Sequence, residues 1–158
     1  MYDYEHTQPG TFFRVWVGLW AMFFCTVAVV MLESGDRGIV IGSSVTAVLI
    51  AIVVVLFHSL TVRVSPNDIA LSFGVGLVRK SFLIDDIKTA AVVRNRWYNG
   101  WGIKRIRGGW LYNVAGFDAV EIQLKNDRRY RIGTDQPREL LAAIESATAT
   151  SPAEGSDK

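Results

Sequence analysis

Residues 39–57 read IVIGSSVTAVLIAIVVVLF, nineteen positions in a row without a charged side chain. Buried strands seldom stay apolar beyond about 8 residues. A helix rising ~1.5 Å per residue needs about 20 apolar residues to cross a hydrocarbon core of about 30 Å. The competing reading, a valine-rich strand in a soluble β core, asks one strand to run far past the usual length. The span is therefore read as a transmembrane helix over 39–59, and that reading decides the architecture.

Upstream, residues 12–32, FFRVWVGLWAMFFCTVAVVML, form a second such stretch with one charge, Arg14, near its start. Arg14 can snorkel to the headgroups, and Phe12, Phe13 and Trp16 suit an interfacial aromatic belt. A cleaved signal peptide is disfavoured, because residues 1–11 carry Asp3 and Glu5 but no Lys or Arg, and no small-residue cleavage site follows. The linker, 33–38, is ESGDRG, short enough to turn the two helices into an antiparallel hairpin. Ala21, Cys25 and Ala28 on one helix and Gly42, Thr46 and Ala47 on the other would allow close approach.

Two spans put both termini on one side. Of the 17 Lys and Arg residues, only Arg14 and Arg37 precede the end of the second span. The positive-inside bias then places residues 1–11 and the C-terminal region in the cytoplasm, beneath a cell membrane. The lone cysteine, Cys25, lies in the apolar zone and forms no internal disulfide.

From Leu60 the period changes to two. Leu60, Val62 and Val64 alternate with polar residues up to an SPND turn, and Ile69, Leu71 and Phe73 alternate again before GVG. Further apolar stretches lie at 77–84, 87–93 and 110–114. Val120, Ile122 and Leu124, then Tyr130 and Ile132, complete a set of about seven short antiparallel strands, as in a barrel or sandwich. TDQPRELLAAIESA then reads as an amphipathic helix, with Asp135 at the N-cap, Pro137 in the first turn, and Leu140, Leu141 and Ile144 on one face. Residues 148–158 lack apolar periodicity and read as a disordered tail.

Strands closed by one C-terminal helix is the order of the pleckstrin-homology (PH) fold. VSPNDIALSFGVGLVRKSFLIDDIKTAAV resembles the opening half of bacterial PH-like domains, with its glycine break and its Ile-Asp-Asp-Ile step into the next strand. GWGIKRIRGGWLYNVAGFDAVEIQLKNDRRYRIGTDQPRELLAAI is similar to the second half of small bacterial membrane proteins that carry a PH-like domain behind two helices. The resemblance covers 60–147. It implies a seven-stranded barrel capped by the helix, in a bacterial inner-membrane protein with a phospholipid-facing surface. It carries over no catalytic residue.

RWYNGWGIKRIRGGW, Arg96 to Trp110, gathers three of the five tryptophans, four cations and four glycines, with no acid. A domain tethered at Leu60 sits near the leaflet, where anionic headgroups attract each Lys or Arg by about 1 kcal/mol. Arg94, Arg96, Lys104, Arg105 and Arg107 are the candidate headgroup ligands, and Trp97 and Trp101 the candidate interfacial anchors. Equally, Trp101, Ile103 and Trp110 fit a core, the glycines fit turns, and the charges fit solvated strand faces. A self-association edge or protein-binding surface is the third reading.

The remaining chemistry is sparse. Asp85 and Asp86 are adjacent, which suits a turn better than a paired acid site. GVG at 74–76 and GWG at 100–102 lack the context of a phosphate loop. His6 and His58 flank the spans, far from any nucleophile, and make a poor metal site. Glu121 and Glu139 read as ordinary exposed positions. Neither a cofactor nor a metal is expected, and a net charge of +2 with a membrane anchor argues against nucleic acid. The reading is a non-catalytic module that binds anionic lipid. The alternative is a scaffolding subunit of an envelope complex, acting through protein partners or self-association.

Overall fold

The computed structural model describes residues 3–32, 35, 37–96, 100–106 and 108–150, without the side chains of residues 12 and 13. Strand β1 (Tyr4–Pro9) leads into helix α1 (Thr11–Leu32), which packs against helix α2 (Arg37–Phe57). Both helices are long and apolar enough to cross a membrane. At their contact Ala28, Ser43 and Ala47 are buried, whereas Cys25 and Gly42 are exposed. Of the small residues expected there, Ala28 and Ala47 are the buried ones.

Strands β2 (Ser59–Val64), β3 (Asp68–Phe73) and β4 (Val78–Leu83) follow α2. They form an antiparallel sheet in the order β1-β2-β3-β4. A short 3₁₀ turn, Ile84–Asp86, carries the chain out of this sheet, which accounts for the paired aspartates. Next come β5 (Ile87–Arg94), β6 (Gly102–Ile106), β7 (Gly109–Asn113), β8 (Asp118–Leu124) and β9 (Arg129–Gly133). They form a second sheet in the order β5-β8-β9-β7-β6, with β7 and β9 parallel. Helix α3 (Pro137–Thr150) packs against β5, β8 and β2.

These findings correct the expectation of one closed barrel of about seven strands. Among the described residues there are nine strands in two open sheets of four and five. The two added strands are β1 and β6. Neither shows an apolar alternation, and each lies at a sheet edge, where one side of the ladder faces away from any neighbour. The second helix stops at Phe57, and Ser59 already belongs to β2. At the far end α3 runs on to Thr150, and 151–158 lie outside the described residues.

The period-two pattern produces the core. Alternate residues of β2 and β3 turn Leu60, Val62, Val64, Ile69, Leu71 and Phe73 inward, each at most 3% exposed. They meet Val120, Ile122 and Ile132 of the second sheet and Leu140 and Ile144 of α3. Each such side chain contributes about 1.5–3 kcal/mol by leaving water. Pro137 occupies the first helical position of α3, where its missing N–H is harmless. That places the cap at Gln136 and corrects the assignment of Asp135, whose carboxylate instead accepts a 2.6 Å hydrogen bond from His6 of β1.

Strand β1 is held by polar contacts. Tyr4 to Pro9 pair with Val64 to Ser59, and Gly10 N–H donates to the His58 carbonyl at 2.8 Å. Gln8 donates to the Ala115 carbonyl at 3.2 Å, tying β1 to the second sheet. Arg63 donates to Glu5 at 2.8 Å, and this hydrogen bond holds the Glu5 carboxyl below its usual value of 4.5. A lowered folded pKa means the pair stabilises the strand above pH 4.5, and that support is lost as pH falls through the lowered value. Protection of the Tyr4–Gln8 amides against hydrogen exchange, taken relative to the intrinsic rate at each pH, is expected to fall on acidification, and Glu5→Gln is expected to flatten that response. An unchanged acid response in the variant would remove Glu5 as its source.

Candidate functional site

Of the seven candidate ligands, the five that are described do not gather in one patch. Trp97 and Arg107 lie outside the described residues. Arg94 ends β5, exposed, with Asp118 as its register partner, so an acid stands across from it. Arg96 is exposed just beyond β5, and Trp101 is half-buried just before β6. Lys104 and Arg105 are both exposed on β6, and as adjacent strand residues they point to opposite faces.

Arg105 is the residue around which a site assembles. It lies opposite Trp110 across the β6–β7 pair, and Trp110 lies opposite Tyr130 across the β7–β9 pair. These three, with Ile106 and the Gly108-Gly109 turn, line an open cleft of about 450 Å³. Arg128, from the β8–β9 turn, completes it. Two guanidinium groups therefore face one cleft that no acid lines, and among the described residues neither has an ion-pair partner. Other cations are spoken for: Arg131 pairs with Glu121 at 2.6 Å, Arg129 approaches it at 3.9 Å, and Lys88 meets Asp127 at 3.4 Å. Glu121 is thus no ordinary exposed position; it holds a side-chain exposure of 18% between two arginines.

The cleft is shaped by glycine. The Cβ of any other residue at Gly109 would overlap the backbone carbonyl of Arg129, so only glycine lets β7 lie this close to β9. The cleft floor is aromatic: Tyr130 is 8% exposed and its ring lies 4.6 Å from that of Phe82. Trp110, 41% exposed, forms a wall with free apolar surface. Arg128 and Tyr130 were absent from the sequence-based set. They stand twenty residues or more from Arg105, and only the parallel β7–β9 pairing brings them in.

An aromatic stack links this region to the helices. Phe57, the last residue of α2, packs on Phe73 with ring centroids 5.6 Å apart, and Phe73 packs on Tyr112 at 6.2 Å. Burial, with the neighbouring Tyr130 as a lesser cause, pushes the Tyr112 phenol above its usual pKa. Tyr112 is the register partner of Ile103 across the β6–β7 pair.

Chemically, two unpaired guanidinium forks beside an indole suit an anionic oxygen group carried on an apolar body. Among the described residues no three His, Cys, Asp or Glu side chains gather into a metal site. Compared with protein-family models, with curated proteins and with solved structures, the chain matches none.

Proposed function

We propose that this chain is a membrane-anchored, non-catalytic PH-like module of a bacterial inner membrane, with both termini cytoplasmic, that binds anionic phospholipid headgroups. The observation that carries the reading is the acid-free cleft of Arg105, Arg128 and Trp110 on a domain joined directly to two apolar helices. Around those helices, side chains such as Val29, Leu32 and Ile41 are each 64% exposed, which suits lipid as their solvent. The final helix packed on both sheets supports the PH-like assignment, although the sheets stay open.

Each cation near an anionic surface contributes about 1 kcal/mol, so losing two weakens binding about thirtyfold. The test uses the full chain in neutral detergent micelles, titrated with short-chain phosphatidylglycerol or phosphatidylcholine. Binding is followed through the Trp110 indole N–H resonance. Phosphatidylglycerol is expected to shift that resonance, with an affinity that falls with salt and drops about thirtyfold in Arg105→Gln/Arg128→Gln. An equal response to both lipids, or an unchanged affinity in the variant, would refute the reading.

The open edges favour a second reading. Strands β4 and β6 each leave one side of a ladder without a strand partner among the described residues, and such edges accept strands from other chains. A scaffolding subunit of an envelope complex would use them, and its complexes would survive high salt and a change of lipid.

A further inference from the structure

The β3–β4 turn, Gly74-Val75-Gly76-Leu77, is built unlike the other hairpins. Val75 is 59% exposed and Leu77 is 76% exposed, and no described residue covers them. Their exposure is enforced by backbone geometry. Gly74 and Gly76 both have positive φ, of 50° and 85°, and the Gly76 carbonyl accepts a hydrogen bond from Arg79 Nε at 2.5 Å. The turn is also docked. Gly74 N–H donates to the Ser59 carbonyl at 2.9 Å, and a Cβ at Gly74 would collide with the carbonyls of Val55 and Leu56 in the last turn of α2. The turn thus stands at the depth of the end of the second apolar helix.

Directly behind the apolar tip lies a second open cleft, of about 350 Å³, on the first sheet. Ser72 and Arg79 face each other across β3 and β4, as do Ala70 and Ser81 two pairs further along, on the same face. Arg79, Ser72 and Ser81 supply a cation and two hydroxyls, and no acid lines the cleft. Lys80 pairs with buried Leu71 and points to the other face, over the Phe82 ring. Arg63 at its margin is already engaged by Glu5. The order along the strand, from the helix end outward, is two bare aliphatic side chains, then a cation and hydroxyls.

We infer that this turn and cleft form a phospholipid site on the bilayer that holds α1 and α2. Val75 and Leu77 enter at the acyl boundary while Arg79 takes the phosphate of a lipid beside α2. The inference rests on the membrane reading above and adds to it a third point of attachment. With the turn pinned against α2, the β domain stands on the leaflet at a fixed height.

The test uses the full chain with Cys25→Ser, reconstituted in phosphatidylcholine and phosphatidylglycerol vesicles, with a nitroxide at one introduced cysteine: Leu77→Cys, Val45→Cys or Ser146→Cys, the last an exposed position of α3. The label at 77 is expected to behave like that at 45, relaxed by oxygen and shielded from a water-soluble nickel chelate, with 146 the reverse. A lipid-like 45 beside a water-like 77 overturns the site and leaves the membrane reading standing. A water-like 45 overturns both. In micelles, the nitroxide at 77 should broaden the ³¹P resonance of short-chain phosphatidylglycerol, with half-saturation rising about fivefold in Arg79→Gln. An unchanged half-saturation overturns the assignment of the phosphate to Arg79.

Discussion

Gly109→Ala is expected to destabilise the protein by about 4 kcal/mol or more, among the largest effects of any single methyl group. The added carbon would occupy the space of the Arg129 carbonyl, a backbone atom that cannot swing aside. Relief requires β7 to leave β9 along the pairs from Gly109–Arg129 to Tyr112–Ile132. Because β9 is the link between the β6–β7 hairpin and the rest of its sheet, the hairpin would detach and expose Leu111, which is fully buried. The cleft would be lost with it, since Arg105 and Arg128 sit on opposite sides of that pairing. Gly108→Ala is the control. Its φ of 86° imposes strain of about 1–2 kcal/mol, but its Cβ would meet only the Arg129 side chain, at 3.8 Å. Chemical unfolding in micelles separates the two, and equal losses would show that the overlap at Gly109 is not the cause.

Phe73→Ala is expected to cost about 3–5 kcal/mol. Phe73 is 1% exposed, and its ring lies against Phe57 of α2 and against Tyr112 of the second sheet. Removing it leaves a cavity bounded by Phe57 and Tyr112, both aromatic and unable to fold into the gap. Phe73→Leu keeps much of the volume and should cost about 1.5 kcal/mol or less. The diagnostic readout is the Tyr112 phenol. Its raised pKa comes first from burial, so a cavity beside it that admits water should bring the titration down toward 10.0. A destabilised variant in which Tyr112 titrates unchanged would mean that the ring does not shield Tyr112.

The elements that the sequence announces are those whose stability comes from burial. Residues 39–57 could be read without a partner because their length alone excludes a strand, and β2 and β3 show which face is buried in every second residue. Strand β1, YEHTQP, has no such mark. Its order comes from the ladder with β2 and from the His6, Gln8 and Glu5 side chains, whose partners lie far along the chain. GIKRI of β6 is too short to display a period. The choice between a barrel and two open sheets was equally hidden, since alternation tells which way a side chain points and not which strand lies beside it. The Trp-rich stretch gave one half of the cleft, Arg105 and Trp110. Arg128 sits in a turn whose composition says only that it is a turn, and its role depends on the crossover that makes β7 and β9 parallel.

The clasp between β1 and β2 also sets an order of assembly. The ribosome makes β1 before the two apolar helices and its one neighbour in the sheet, β2, only after them. Until the second helix has doubled back, Tyr4 to Pro9 have nothing to pair with and Gln8 has no carbonyl to reach. The finished sheet is therefore a record that the hairpin closed correctly. A chain whose helices failed to return to the starting side would keep its first residues and the free flank of β2 open to proteases, and quality control would have a strand edge by which to recognise it.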